Sequence, residues 1–169
     1  LSEGESLDLQ SALYPLLLSS ANDAAFTISG YYGDEFFATL MNKSAREAGM
    51  MSSRFVEPSG LSSENVSTAR DLYRLAKHIQ ENRRFIFDIT GVEEKIVESN
   101  LSSGRTKTTR FHNIHQLRNI EGFEGGKNGF TAAAGHTLLT LFDVQGSNGT
   151  ETVVIVVLDS NDVARDSLT

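Results

Sequence analysis

The sequence predicts an α/β fold of the α+β kind, with a helical first half followed by an antiparallel sheet. Three observations carry that prediction. Apolar residues recur at helical spacing through residues 6–49 and again over 67–79. The last third instead holds three extended runs separated by turn residues. The chain has 169 residues, enough for one domain with its own core. The expected organisation is a single domain over 1–169. Residues 1–84 are mainly helical, 85–125 are extended or loop-like, and 126–159 form three antiparallel strands.

The first helix is expected over Ser6–Ser19. Leu9, Leu13, Leu16 and Leu17 lie at helical spacing, Ser6 suits an N-cap, and Pro15 is placed to kink the helix. A short second helix is expected from Asp23 to Ser29, broken near Gly30 and Gly33. Asp34 then caps a longer helix ending at Gly49. Its inward stripe is Phe37, Met41, Ala45 and Ala48, with Lys43, Arg46 and Glu47 facing water. Phe36 and Phe37 are both expected in the core.

Met50–Val66 is a loop around Glu57-Pro58-Ser59-Gly60-Leu61, where Pro and Gly at that spacing fit a turn. Ser67 or Thr68 caps the next helix, with Ala69, Leu72, Leu75, Ala76 and Ile79 inward. Phe85-Ile86-Phe87 and Lys95-Ile96-Val97 are expected to be extended. Ser102-Ser103-Gly104 suits a hairpin tip. The basic stretch around that tip reads as a solvated loop, since no aromatic residues interleave with it as a nucleic-acid surface would require.

The three strands are expected at Lys127–Thr131, Thr137–Asp143 and Glu151–Asp159, with the last turn over Gln145–Thr150. Val153-Val154-Ile155-Val156-Val157 is apolar at every position. Such a strand should be covered on both faces and paired on both edges. Only the Thr137–Asp143 strand offers itself as a neighbour. The expectation is therefore either self-association through the open edge or pairing with something outside the chain. Ala164-Arg165-Asp166 suits the start of another helix.

Net charge is −7, which speaks against a nucleic-acid partner. The absence of cysteine removes disulfides, thiolate nucleophiles and zinc–thiolate sites. No apolar run approaches the ~20 residues that span a bilayer. His112 and His115 lie three apart, a spacing that suits a metal on a helix, but no third ligand is near in sequence, so no metal and no cofactor is expected. Leu1 opens polar sequence with neither a leader pattern nor an initiator Met. It is expected to be a cut point.

Two polar clusters stand out against this background. Ser19-Ser20-Ala21-Asn22-Asp23-Ala24-Ala25 follows the Leu-rich helix and opens the next. Taken as residues alone, Ser20 and Asn22 are helix punctuation. Yet a serine hydroxyl can pass a proton, and an asparagine amide both donates and accepts. The second cluster, Gly126-Lys127-Asn128-Gly129-Phe130-Thr131, lies on an expected strand.

Together these clusters resemble the second and third active-site motifs of the serine D-alanyl-D-alanine carboxypeptidases, the low-molecular-mass penicillin-binding proteins. The likeness continues through Met41-Asn42, Ala48-Gly49-Met50, Phe55, Pro58-Ser59-Gly60-Leu61 and Ser67-Thr68-Ala69. It then takes in Asp71-Leu72, Asn113, Leu117, Gly122, Ala134-Gly135 and the final apolar strand. The resemblance implies the penicillin-binding/β-lactamase-like transpeptidase fold, incomplete at its N-terminus. It implies removal of the terminal D-alanine of peptidoglycan stem peptides through an acyl-enzyme, β-lactams as ligands, and an extracytoplasmic place in a bacterial envelope.

By the same resemblance Ser20 would exchange protons with Lys127, and Asn22 would hold the substrate amide. Lys127 and its strand (Asn128, Gly129, Phe130, Thr131) would hold the terminal carboxylate, and the Phe130 N–H would be an oxyanion donor. Two departures stand out. The third motif usually reads Lys-Thr-Gly and here reads Lys127-Asn128-Gly129. The Ser-x-x-Lys nucleophile motif is missing: the positions three before each lysine are Leu40, Arg74, Val92, Gly104 and Glu124. The chain alone is therefore expected to be inactive. The alternatives are a non-catalytic domain that binds peptidoglycan or a protein, and a β-lactamase relative, for which Met50–Ser67 offers no clear deacylating glutamate beyond Glu57.

Overall fold

The computed structural model describes residues 2–147 and 149–168. Leu1 and Asn148, and with them the expected cut point and part of the last turn, lie outside the described residues. The order is α1 (Leu9–Leu18), α2 (Asn22–Tyr32), α3 (Asp34–Glu47), α4 (Ala69–Asn82), α5 (Phe85–Thr90), β1 (Glu94–Asn100), β2 (Thr106–His112), β3 (Phe123–Thr131), β4 (Gly135–Gly146), β5 (Gly149–Ser160) and α6 (Val163–Leu168). β1 and β2 form an antiparallel hairpin, and β3–β4–β5 form an antiparallel sheet with β4 central. No described helix is long and apolar enough to cross a membrane.

The sheet is covered on both faces. On one, Ala76 of α4 and Phe87 of α5 pack with Leu141, beside Leu139 and Val154. On the other, Leu117, Leu138, Phe142 and Val163 of α6 make a second cluster, beside Ile155 and Val157. β5 meets the two-sided expectation only in part: Val154, Ile155, Val156 and Val157 are half-buried, and Val153 is exposed. Its far edge has no strand partner among the described residues.

The structure changes several expectations. Phe85–Phe87 is helical, not extended, because Phe87, Ile89 and Thr90 turn inward together at helical spacing. A three-residue apolar run does not by itself separate the two periods. Asp8 caps α1 in place of Ser6: its carboxylate accepts the Ser11 N–H at 2.9 Å and the Ser11 hydroxyl at 2.7 Å. Ser6 instead exchanges two backbone hydrogen bonds with Asn100, tying the N-terminal segment to β1. α2 runs through Gly30 and stops only at Gly33, whose φ of 88° breaks the helix. Asp34 is the first residue of α3 rather than its cap.

Phe36 and Ala69, expected inward, are exposed, as is Leu9. Thr68 caps α4 through the Asp71 N–H. His112 sits on β2 and His115 in the loop after it, so the pair is not on a helix. In the basic hairpin Lys107 lies 3.0 Å from Glu5 and Arg110 pairs with Glu94.

Candidate active site

The two polar clusters meet. α1 ends at Ser19, and Ser20 follows with a φ of 53°. That region is ordinarily left to glycine at a helix C-terminus, and a side chain there costs roughly 1–2 kcal/mol. The elbow is closed by the Ala21 N–H bonding back to the Pro15 carbonyl at 3.0 Å and by the Ser19 hydroxyl donating to the His112 carbonyl at 3.2 Å. Asn22 then opens α2, its side chain exposed and without a hydrogen bond among the described residues.

Lys127 reaches this elbow from β3, 107 residues away in sequence. Its Nζ donates to Ser20 Oγ at 2.9 Å and to the Asn128 carbonyl at 2.6 Å. Burial pushes the ammonium down from 10.5 to about 8, because an apolar setting disfavours the charged form. Ser20, Asn22, Lys127, Asn128, Gly129, Phe130 and Thr131 all line one open cleft of about 850 Å³.

The free edge of β3 forms one wall. The Gly126 N–H donates to Thr90 Oγ1 at 3.0 Å, away from β4. Backbone groups alternate in direction along an antiparallel strand. The N–H groups of Asn128 and Phe130 therefore also point away from β4, as the Asn128 carbonyl does in meeting Lys127. The cleft thus has an unpaired strand edge beside a serine–lysine pair. Its back wall is apolar, with Leu72, Leu75, Ile79, Ile86 and Leu139 among its lining.

Three residues that hold the site were not singled out as doing so from the sequence. Thr90, 2 % exposed, pins β3 to α5 through Gly126. Asn113 clamps the loop before β3: its amide donates to the Thr90 and Val92 carbonyls at 2.7 and 2.9 Å and accepts the His115 N–H at 2.9 Å. His115, 1 % exposed, lies behind Gly126 against the Phe123 ring. Its Nδ1 accepts the Leu117 N–H at 3.2 Å, which places the proton on Nε2, a buried atom without a hydrogen-bond partner among the described residues. Burial, with the positive charges of Lys127 and Arg118 adding, pushes it down to about 4, so the ring is neutral.

Glu57 is saturated. Its two oxygens accept the Ser59 N–H (2.7 Å), Ser59 hydroxyl (2.5 Å), Ser62 N–H (3.0 Å) and Asn65 amide (2.6 Å). It organises the 57–65 loop and has no lone pair directed at the cleft for a water. The loop is held from the other side by Asn42, whose amide pairs with both backbone groups of Phe55.

The profile of the peptidase S11 family, the D-alanyl-D-alanine carboxypeptidases, matches residues 1–162. The chain belongs to this family. It is 36 % identical to a D-alanyl-D-alanine endopeptidase of Escherichia coli over 148 residues, covering 85 % of this chain and 45 % of the relative. A D-alanyl-D-alanine carboxypeptidase of Bacillus subtilis is 28 % identical over 82 % of this chain and 35 % of its own length. The chain spans less than half the length of these relatives.

Among solved structures, the Streptomyces K15 DD-transpeptidase superposes with a TM-score of 0.85 at 25 % identity, over 97 % of this chain and 65 % of its own. Penicillin-binding protein D2 of Listeria monocytogenes, in a cefotaxime-bound form, gives 0.76 at 26 %, over 94 % and 62 %. The helical part and antiparallel sheet of this family member are thus the penicillin-binding protein fold.

Proposed function

We propose that the chain carries the proton-transfer and substrate-holding part of a serine DD-peptidase site that cleaves the peptide bond following D-alanine in peptidoglycan stem peptides. The observation that carries the reading is the Lys127–Ser20 hydrogen bond inside a cleft walled by an open strand edge. Acyl transfer needs a nucleophile, a proton route to the leaving amine and oxyanion donors. Ser20, in contact with Lys127, is the proton route. The free Asn22 amide holds the substrate's backbone. The outward N–H groups of β3 pair with an extended peptide and include the Phe130 oxyanion donor. Lys127, Asn128, Gly129 and Thr131 hold the terminal carboxylate, and β-lactams enter as mimics of that peptide end. The place of action is the bacterial envelope.

The nucleophile in this reading comes from a Ser-x-x-Lys segment outside the 169 residues. The apolar back wall supports that, since a cleft lined by Leu72, Leu75, Ile79 and Ile86 favours a packed helix over water. Removal of the terminal D-alanine is the simplest reaction. Two relatives, at 36 % and 34 % identity, are D-alanyl-D-alanine endopeptidases, which favours cleavage of cross-linked peptides by the same chemistry. A second reading, a peptidoglycan-binding domain without catalysis, is favoured by the missing motif alone.

The test is a fusion in which a relative's Ser-x-x-Lys segment precedes Leu1, incubated with pentapeptide and with cross-linked dimers. Mass spectrometry of the products should show D-alanine release or dimer splitting, neither by the unfused chain. A folded fusion that does neither would refute the enzymatic reading.

A further inference from the structure

We infer that His115 is an acid-sensitive wedge against β3: the neutral ring holds the substrate-facing strand in place, and a protonated ring displaces it. His115 is 1 % exposed and lies in the loop that leads into β3. Its Nε2 stands where Gly126 leaves no room for a side chain, since a Cβ there would lie 2.8 Å from Nε2 and 2.4 Å from the Leu139 carbonyl oxygen. The imidazole therefore lies against the β3 backbone one residue before Lys127. The Phe123 ring packs on it with centroids 4.8 Å apart. In so tight a setting the ring cannot leave without moving β3.

The surroundings admit one protonation state. Nδ1 accepts the Leu117 N–H at 3.2 Å, and Nε2 is buried without a partner among the described residues. A second proton would go on Nδ1, where it would face the Leu117 N–H donor to donor. That buried amide would lose its acceptor, which is costly. The charged groups that act on the ring are Lys127 on β3 and Arg118 on its own loop, and both are positive. The Arg118 guanidinium is held close, donating to the His115 carbonyl at 3.0 Å. The other neighbours, Asn113, Leu117, Phe123, Gly126 and Leu139 of β4, do not titrate. A protonated ring thus gains two repulsions and loses a hydrogen bond, and water is the better place for it.

Burial, with the two cations adding, pushes His115 from 6.5 to about 4. The closed strand therefore binds fewer protons than an open form in which the ring reaches water. Acid favours opening, from about pH 6.5 downward, with the full effect below about 4. Between pH 7 and 5 the open form gains about 20-fold on the closed one. The buried carboxylates Glu5 and Asp71 stay charged in that window, Glu5 titrating at about 2 and Asp71 below its ordinary range. Opening takes away the outward N–H groups of β3 and parts Lys127 from Ser20. The consequence for peptide binding rests on the function proposed above; the movement of β3 does not.

The experiment is native-state hydrogen exchange of the isotopically labelled chain, followed by NMR from pH 7 to 5, with each rate divided by the intrinsic rate of its amide. The Gly126 N–H and the β3 amides paired with β4 should open about 20-fold more readily at pH 5 than at pH 7. Amides of α3, remote from the wedge, should change by less than about twofold. Ring nitrogen shifts should place the proton on Nε2 at pH 7 and show no titration above about pH 5. In His115→Asn the side-chain oxygen replaces Nδ1 as acceptor for Leu117 and does not titrate, so the pH dependence in β3 should vanish. If that variant does not fold, the two measurements on the parent chain decide. A ring titrating near 6.5, a β3 opening indifferent to pH, equal acceleration in β3 and α3, or a folded His115→Asn with the parent's pH dependence would overturn the proposal. None of these readouts needs a bound peptide, so failure of the functional reading is seen separately.

Discussion

Replacing Lys127 with methionine should stabilise the fold at neutral pH. Burial lowers the ammonium from 10.5 to about 8. At ~1.4 kcal/mol for each tenfold change in proton affinity, that fall corresponds to about 3 kcal/mol of destabilisation by the charge. The folded value lies below the unfolded one, so the native state binds fewer protons. The cost is complete below pH 8 and disappears as pH rises through about 10.5. By the same linkage it is about 3 kcal/mol at pH 7 and about 1.4 kcal/mol at pH 9.5.

Methionine keeps the apolar stem and removes the charge, but it also loses the contacts to Ser20 and the Asn128 carbonyl. Both partners face an open cleft and regain water, so that loss is about 1 kcal/mol. The net gain is about 2 kcal/mol at pH 7, or roughly 4–8 °C in Tm for a domain of this size. At pH 9.5 it should be close to zero. Urea unfolding followed by circular dichroism at both pH values measures it. A Lys127→Met chain that is less stable at pH 7, or whose advantage does not shrink with pH, would refute the account of Lys127 as a buried, strained charge.

Other substitutions probe the supports of the site. Thr90→Val should cost about 1–3 kcal/mol, because it strands the buried Gly126 N–H, and amide exchange at Gly126 should speed up. Gly126→Ala puts a Cβ 2.4 Å from the Leu139 carbonyl oxygen and 2.8 Å from His115 Nε2. It should cost about 3 kcal/mol or more and separate β3 from β4, seen as loss of cross-strand contacts by NMR. Asp71 is 1 % exposed, and although burial opposes its charge, the Ser52 N–H, Ser53 hydroxyl and Arg74 hold it below its ordinary range. Its stabilising effect is present above about pH 3.8 and lost as pH falls through the folded value, so Asp71→Asn should flatten that part of the acid-unfolding curve. The unpaired edge of β5 should give concentration-dependent association by sedimentation velocity, reduced in Val153→Lys; a monomer at all concentrations would contradict a sticky edge.

Much of this was legible in the sequence. The long helices α3 and α4 and the strands of the sheet follow from periodicity, and the meeting of Ser20 with Lys127 follows from the family likeness. What escaped has physical reasons. Phe85–Phe87 is too short for its period to show. Asp8 and Ser6 are both good caps, and only the pairing of Ser6 with Asn100 decides between them. Thr90 and Asn113 act through backbone groups 21 to 36 residues away, and such contacts leave no local pattern. His115 could be seen as a histidine near the third motif, but only the fold shows it neutral and wedged behind Gly126. The left-handed Ser20 had one faint signal, a serine pair where a helix would normally end in glycine.

Under the proposed function the Ser20–Lys127 cleft recognises a peptide ending in D-Ala-D-Ala. The most direct measurement is an NMR titration of the isotopically labelled chain with that peptide and with its L-Ala-L-Ala counterpart. The account predicts saturable shifts at Ser20, Asn22 and Asn128–Thr131 with the D,D peptide, weak ones with the L,L peptide, and loss of both in Lys127→Met. Equal shifts from the two peptides, or shifts confined to residues outside the cleft, would contradict it.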